Sequence, residues 1–152
     1  MAYTEHAHCL RKGRFSEIDQ IYIVTATTHQ RCPIFADWQL GRLVVQEFRR
    51  AERQGLVQSL AWVVMPDHFH WLLKLKKASL DLLLKQVKAR SALAVNKVCG
   101  SEGRVWQKGF YDHALRREED LCKHARYIVA NPLRAGLVKR VGDYPLWDAV
   151  WL

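Results

Sequence analysis

Cysteine is sparse in these 152 residues, and the four present, Cys9, Cys32, Cys99 and Cys122, are scattered with no CxxC pair among them. That pattern argues against a disulfide framework or a cysteine zinc cage and leads one to expect the reduced thiols of a cytosolic protein. No apolar run approaches the roughly 20 residues of a membrane-spanning helix. The first residues, with Glu5, His6 and His8, lack the apolar core of a signal peptide. A cytoplasmic protein without a membrane partner is the expectation. Repeats, low-complexity segments and linkers are also missing. Acidic residues are in short supply: 15 Asp and Glu face 24 Lys and Arg, a formal charge of +9. Such an excess suits a polyanionic partner such as nucleic acid, although a basic enzyme of ordinary kind has the same balance. What remains is one soluble globular domain, 49% apolar and 26% charged. A chain of this length buries roughly 68–70% of its unfolded surface without a disulfide or metal staple.

Residues 1–20 read as a basic arm, with Arg11, Lys12, Gly13 and Arg14 at its centre, and 21–152 as the domain. The β-branched run 21–28 is a strand that Arg31-Cys32-Pro33 breaks. Asp37 caps a helix to about Gln54, with Leu40, Leu43, Val44, Phe48 and Ala51 on one stripe and Gly55 as its stop. Strands follow over 58–65 and 68–76, meeting at Pro66-Asp67. Ser79 caps a second helix to about Val98. The aromatic stretch 105–116 reads as a fourth strand in which Gly109 can bend the chain. A third helix opens on Glu118, Glu119 and Asp120, acids suited to the positive end of the helix dipole. It should end near Asn131, because Pro132 disfavours helical backbone at the residue before it. The order β-α-β-β-α-β plus a helix is the ferredoxin-like split βαβ pattern, an α+β fold whose antiparallel sheet carries helices on one face.

Two features carry chemistry. On the strand over 68–76, Phe69, Trp71, Leu73 and Leu75 point one way, while His68, His70 and Leu72 point the other. Two imidazoles at i and i+2 on rigid backbone have metal-ligand spacing, and by themselves fit zinc, a phosphate grip or no ligand at all. On the third helix Leu121, Ala125, Ile128 and Val129 form the apolar stripe, whereas Tyr127 lies off it, near Lys123, His124 and Asn131. With a metal polarising a phosphate, a phenol in that position could attack phosphorus. A half-exposed surface tyrosine gives the same pattern. Tyr22, Tyr111 and Tyr144 are rival nucleophiles. His113 could assist the site or sit structurally in the sheet, and Lys85, Lys88, Arg90, Arg116 and Arg134 are candidate contacts to a nucleic-acid backbone. A structural zinc site would need a third and fourth nitrogen or sulfur ligand that the sequence does not offer.

The runs Trp62-Val63-Val64-Met65-Pro66-Asp67-His68-Phe69-His70, Val105-Trp106-Gln107-Lys108-Gly109-Phe110-Tyr111-Asp112-His113 and Ala125-Arg126-Tyr127-Ile128-Val129-Ala130-Asn131-Pro132 resemble the REP-associated tyrosine transposases. These are relatives of the single-tyrosine transposases among the HUH endonucleases, and the likeness runs from about Tyr22 to Trp147. The resemblance implies a nuclease domain that binds a single-stranded DNA hairpin, a REP-like palindrome, and cleaves beside it, as a monomer or a homodimer. It implies His68 and His70 as ligands of Mg²⁺ or Mn²⁺, with Asn131 a weaker third, and Tyr127 as the nucleophile forming a 5′-phosphotyrosine. Gly13-Arg14 resembles the family's arm, which reads a short sequence at the foot of the hairpin. A hairpin-binding protein that has kept the fold and lost turnover is the alternative.

Overall fold

The structure, a computed structural model, describes residues 16–116 and 120–151. The arm residues Arg11, Lys12, Gly13 and Arg14 and the helix-opening acids Glu118 and Glu119 therefore lie outside the described residues. Five strands, β1 (Ile21–Thr27), β2 (Val57–Met65), β3 (His68–Leu75), β4 (Tyr111–Leu115) and β5 (Trp147–Ala149), form one sheet in the order β4-β1-β3-β2-β5. Every neighbouring pair is antiparallel. The first four strands have the expected ferredoxin-like arrangement, and β5 extends the sheet beyond β2.

Helices α1 (Trp38–Arg53) and α2 (Leu80–Cys99) start where their caps require. The Asp37 side chain accepts from the Gln39 N–H at 3.0 Å, and the Ser79 hydroxyl accepts from the Leu82 N–H at 3.1 Å. Both pack on the Phe69/Trp71 face of the sheet. Phe48 of α1 stacks on Trp71 at 4.4 Å and meets Phe69 edge-on at 5.0 Å. Trp106 lies against Phe69 while its indole N–H donates to Ser91 of α2 at 3.0 Å. Phe69, Trp71, Leu73 and Leu75 are fully buried here, as the period of two along β3 requires. The C-terminal segment crosses this core at Gly41, where Leu146 packs so close that a Cβ would displace it.

Helix α3 (Leu121–Val129) lies over the opposite face, burying Leu121, Ala125, Ile128 and Val129. Two sequence expectations change. The strand expected over 105–116 is confined to Tyr111–Leu115; Gly109 turns the chain at φ +78°, and Trp106 meets the end of β1 through an isolated bridge to Thr28. The third helix ends beside Asn131 as expected, with Val129 its last residue and Ala130 its C-cap. A separate short helix, α4 (Asn131–Arg134), opens after Ala130 with Pro132 in its first turn, where proline's missing N–H costs nothing. A further expectation changes at the other end of the domain. Ser16 to Gln20, expected in the arm, are tied to the domain: the Ser16 hydroxyl accepts from Leu80 N–H, and Gln20 Nε2 donates to the Leu115 carbonyl. Cys32, Cys99 and Cys122 are unbridged, and no helix among the described residues is long and apolar enough to cross a membrane.

Candidate active site

The turn at Pro66-Asp67 delivers two histidines to the α3 side of the sheet, with their rings 4.9 Å apart. Each imidazole is held through Nδ1. His68 Nδ1 lies 2.7 Å from Asp67 Oδ1, and His70 Nδ1 lies 2.7 Å from the Thr25 hydroxyl on β1. A carboxylate can only accept, so His68 carries its proton on Nδ1 and presents the Nε2 lone pair. His70 takes the same tautomer when Thr25 accepts. Burial is the main force lowering both basicities. It pulls His70 to about 3, with His68 and Arg134 adding positive charge nearby. His68 moves down as well, burial outweighing the opposing pull of Asp67. Neutral, oriented imidazoles are the form in which histidine ligates a divalent cation.

The loop over 28–35 fastens the turn that carries the pair. The Thr28 N–H and hydroxyl both donate to the Asp67 carbonyl, at 2.9 and 3.1 Å, and the Phe35 N–H donates to the Pro66 carbonyl at 2.9 Å. Arg31, at φ +53° after Gln30 at +54°, reaches back so that its Nε donates to Asp67 Oδ2 at 3.0 Å. Two consecutive non-glycine residues in the left-handed region are strained, the kind of backbone found where a side chain must be aimed. Burial alone would raise the Asp67 carboxyl, but hydrogen bonds from His68 and Arg31 hold it below the usual carboxylate range. One carboxylate thus joins Arg31 to His68.

Tyr127 projects from α3, 58% exposed. The guanidinium of Arg134 lies 3.7 Å from its ring centroid. The short helix α4 that opens after Ala130 carries Arg134 back over Tyr127. Tyr127, Arg134 and His70 line one open cleft of about 670 Å³, together with Thr25, Tyr111, His113 and His124. The wheel's separation of Tyr127 from the buried stripe therefore holds. Asn131 stands one turn beyond Tyr127, and neither it nor His68 is among the residues lining this cleft.

The rival tyrosines separate cleanly. Tyr144 is buried, its hydroxyl donates to the Val64 carbonyl at 2.6 Å, and burial pushes its pKa up to about 12. Tyr22 is buried and accepts from the Glu17 N–H. Tyr111 is 39% exposed and reaches the cleft from β4.

Most of the candidate backbone contacts lie elsewhere. Lys88 donates to the carbonyls of Gln107 and Gly109 at 2.7 and 2.6 Å, pinning the loop before β4, and burial lowers its pKa to about 8. It is a structural lysine rather than a free phosphate contact. Arg90 pairs with Glu47 at 2.9 Å. Lys85 is exposed on α2, and all three belong to the helix on the far side of the sheet from the histidines. Arg116 follows β4 and lines an adjoining cleft that Glu17 and Asp120 also line. Of these five, Arg134 is the one that lines the cleft. Among the described residues, no group of three or more His, Cys, Asp or Glu side chains could hold a metal.

Sequence reasoning did not find the roles of Thr25, Arg31 and Asp67, or the meeting of Arg134 with Tyr127. That meeting depends on how the short helix α4 follows the end of α3, which the spacing of the two residues does not signal.

Residues 17–131 match the model of the family described as "Transposase IS200 like". A REP-associated tyrosine transposase of Escherichia coli (strain K12) is 34% identical over 85 residues, 56% of this chain and 50% of that protein. A protein of Haemophilus influenzae provisionally given the same name is 28% identical over 116 residues, 66% of each. This chain thus spans about half the length of the first relative and just under two thirds of the second. A solved structure of a REP-associated tyrosine transposase bound to a REP hairpin superposes with a TM-score of 0.70. It is 24% identical and covers 97% of this chain and 82% of its own, a likeness of fold.

Proposed function

The chain belongs to the IS200-like transposase family, and from that premise we propose that it is a metal-dependent single-stranded DNA endonuclease and strand transferase. It binds a DNA hairpin, as the REP-associated transposase of similar fold binds a REP hairpin, and cleaves beside it. The observation that carries the reading is the convergence of His70, Tyr127 and Arg134 on one cleft.

In the proposed reaction the Tyr127 oxygen attacks phosphorus, the P–O3′ bond breaks, and the phenolic proton ends on the departing 3′-oxygen. The products are a 5′-phosphotyrosine and a free 3′-hydroxyl; attack by another 3′-hydroxyl reverses the chemistry and joins a new strand. Arg134 holds the tyrosine ring by cation–π contact and places positive charge where the phosphate must sit. His68 and His70 would hold Mg²⁺ or Mn²⁺, which when bound neutralises phosphate oxygens as the nucleophile approaches. Two imidazoles are softer donors than magnesium prefers, so Mn²⁺ should support activity well. Asn131, one turn beyond Tyr127, would be the weaker third donor. His70 and Tyr127 of one chain line the same cleft, and the protein works on DNA in the cytoplasm as a monomer or a homodimer.

The test is incubation of a labelled hairpin oligonucleotide with single-stranded flanks in Mg²⁺ or Mn²⁺, followed by denaturing electrophoresis. The wild type should give a shortened strand and a covalent protein–DNA band, and EDTA or Tyr127→Phe should abolish both. A covalent band that persists in Tyr127→Phe overturns the nucleophile. Salt-sensitive binding with no cleavage in any metal would instead identify a hairpin binder without turnover.

A further inference from the structure

The proposed chemistry uses one end of the cleft, and the other end is also built from recognisable parts. Thr25 pairs with His70 on one side and with Tyr111 on the other, so the three side chains form a row across β3, β1 and β4 on one face. The next row on that face is Leu72, Ile23 and His113. Above these rows α3 contributes Lys123, His124 and Ile128. The result is a trough with an aromatic ring and aliphatic walls at the β4 end, imidazoles along it, and the cations Lys123, Arg126 and Arg134 among its lining.

We propose that the β4 end of this cleft, with Tyr111 as its aromatic platform, is a binding subsite for an unpaired nucleobase next to the cleaved phosphate; this rests on the single-stranded DNA reading of the site. Three observations support it. The whole cleft, about 670 Å³, lies within the range of about 300–1,000 Å³ in which small organic ligands are held, so it has room for a base beside the phosphate. An apolar slot rimmed by cations matches a nucleotide, which joins a flat heteroaromatic ring to an anion. Stacking on an exposed aromatic ring is how proteins hold single-stranded bases, and it tolerates any base because every base has a π face. A base inside a duplex is already stacked and cannot enter, so the subsite selects single-stranded DNA at the cleavage position. His113 and His124 add ring nitrogens that can meet the base edge.

Binding can be measured without cleavage, in EDTA, by fluorescence anisotropy with labelled single-stranded hexathymidylate, its fully abasic analogue and a hexamer duplex. The wild type should bind the hexathymidylate about tenfold more tightly than the abasic strand, with the duplex a poor competitor. Tyr111→Ala should abolish that preference, and Tyr111→Phe should retain it. A 5-iodouracil-bearing hexamer should photocrosslink to Tyr111 in the wild type, located by peptide mass spectrometry. Equal binding of base-bearing and abasic strands by the wild type overturns the subsite, as does a Tyr111→Ala protein that keeps the preference. Because these readouts need neither metal nor Tyr127, they fail independently of the cleavage test. A protein that cleaves through Tyr127 but ignores the base refutes only the subsite. One that stacks the base but forms no covalent product in any metal refutes only the chemistry.

Discussion

The guanidinium of Arg134 stands over Tyr127, 3.7 Å from the ring centroid, although Pro132 separates the two in sequence. A surface pair of this kind contributes only about 0.5–1 kcal/mol to stability. Its greater value is positional, since the same cation influences His70 across the cleft. Arg134→Ala should lower the rate of covalent adduct formation by about 100-fold, the scale of losing one charge-stabilising group at a phosphoryl or acyl centre. Arg134→Lys should recover part of that loss. Oligonucleotide affinity in EDTA should change by no more than about threefold, which separates a role in the reaction from general attraction of DNA.

The Asp67 carboxylate spans Arg31 and His68, so it should govern how well the histidines take a metal. Outer partners of ligating histidines typically contribute about 10–100-fold in affinity. Mn²⁺ titration followed by electron paramagnetic resonance should rank wild type above Arg31→Ala, and Arg31→Ala above Asp67→Ala. Equal affinities in all three would show that the carboxylate has no part in metal binding.

The metal-free protein should lose stability in mild acid. His70 titrates at about 3 when folded and near its ordinary 6.5 when unfolded, so the unfolded chain binds more protons between those values. Its contribution is complete above pH 6.5 and is lost as pH falls towards 3; His68, also lowered, acts in the same direction. Urea midpoints measured in EDTA should fall from pH 7 to pH 4.5, a window above the ordinary carboxylate range. His70→Asn should flatten that slope.

Tyr144 should matter for folding and not for chemistry. Its buried hydroxyl donates to the Val64 carbonyl, in the strand that pairs with the histidine strand. Tyr144→Phe removes that donor from a buried carbonyl, a loss of about 1–3 kcal/mol in urea unfolding. Adduct formation per folded molecule should be unchanged.

Features set by neighbouring residues were legible from the sequence alone. Asp37 and Ser79 cap their helices because a short side-chain oxygen reaches an N–H two or three residues ahead, whatever the rest of the chain does. The alternation along β3 separates Phe69 from His68 and His70 because a strand has a period of two, and the wheel of α3 separates Tyr127 from Ile128 for the equivalent helical reason. The likeness of three motifs to a known family then pointed to the chemistry proposed for those residues. Where local rules compete, tertiary packing decided. Pro132 marks the end of the third helix, but a proline in a first turn forfeits no hydrogen bond, so a new short helix opens there and carries Arg134 onto Tyr127. Lys88 has the appearance of a phosphate contact but is consumed by two carbonyls of the loop before β4.

The pair of histidines shows the same division. That His68 and His70 share a face follows from the residue order, because it depends only on the pleat of one strand. The order of residues does not dictate that Thr25 holds one ring, that Asp67 and Arg31 hold the other, or that Tyr111 stands in line with them. Those relationships depend on the register between strands distant in sequence, and register is set by how the whole sheet buries its apolar face.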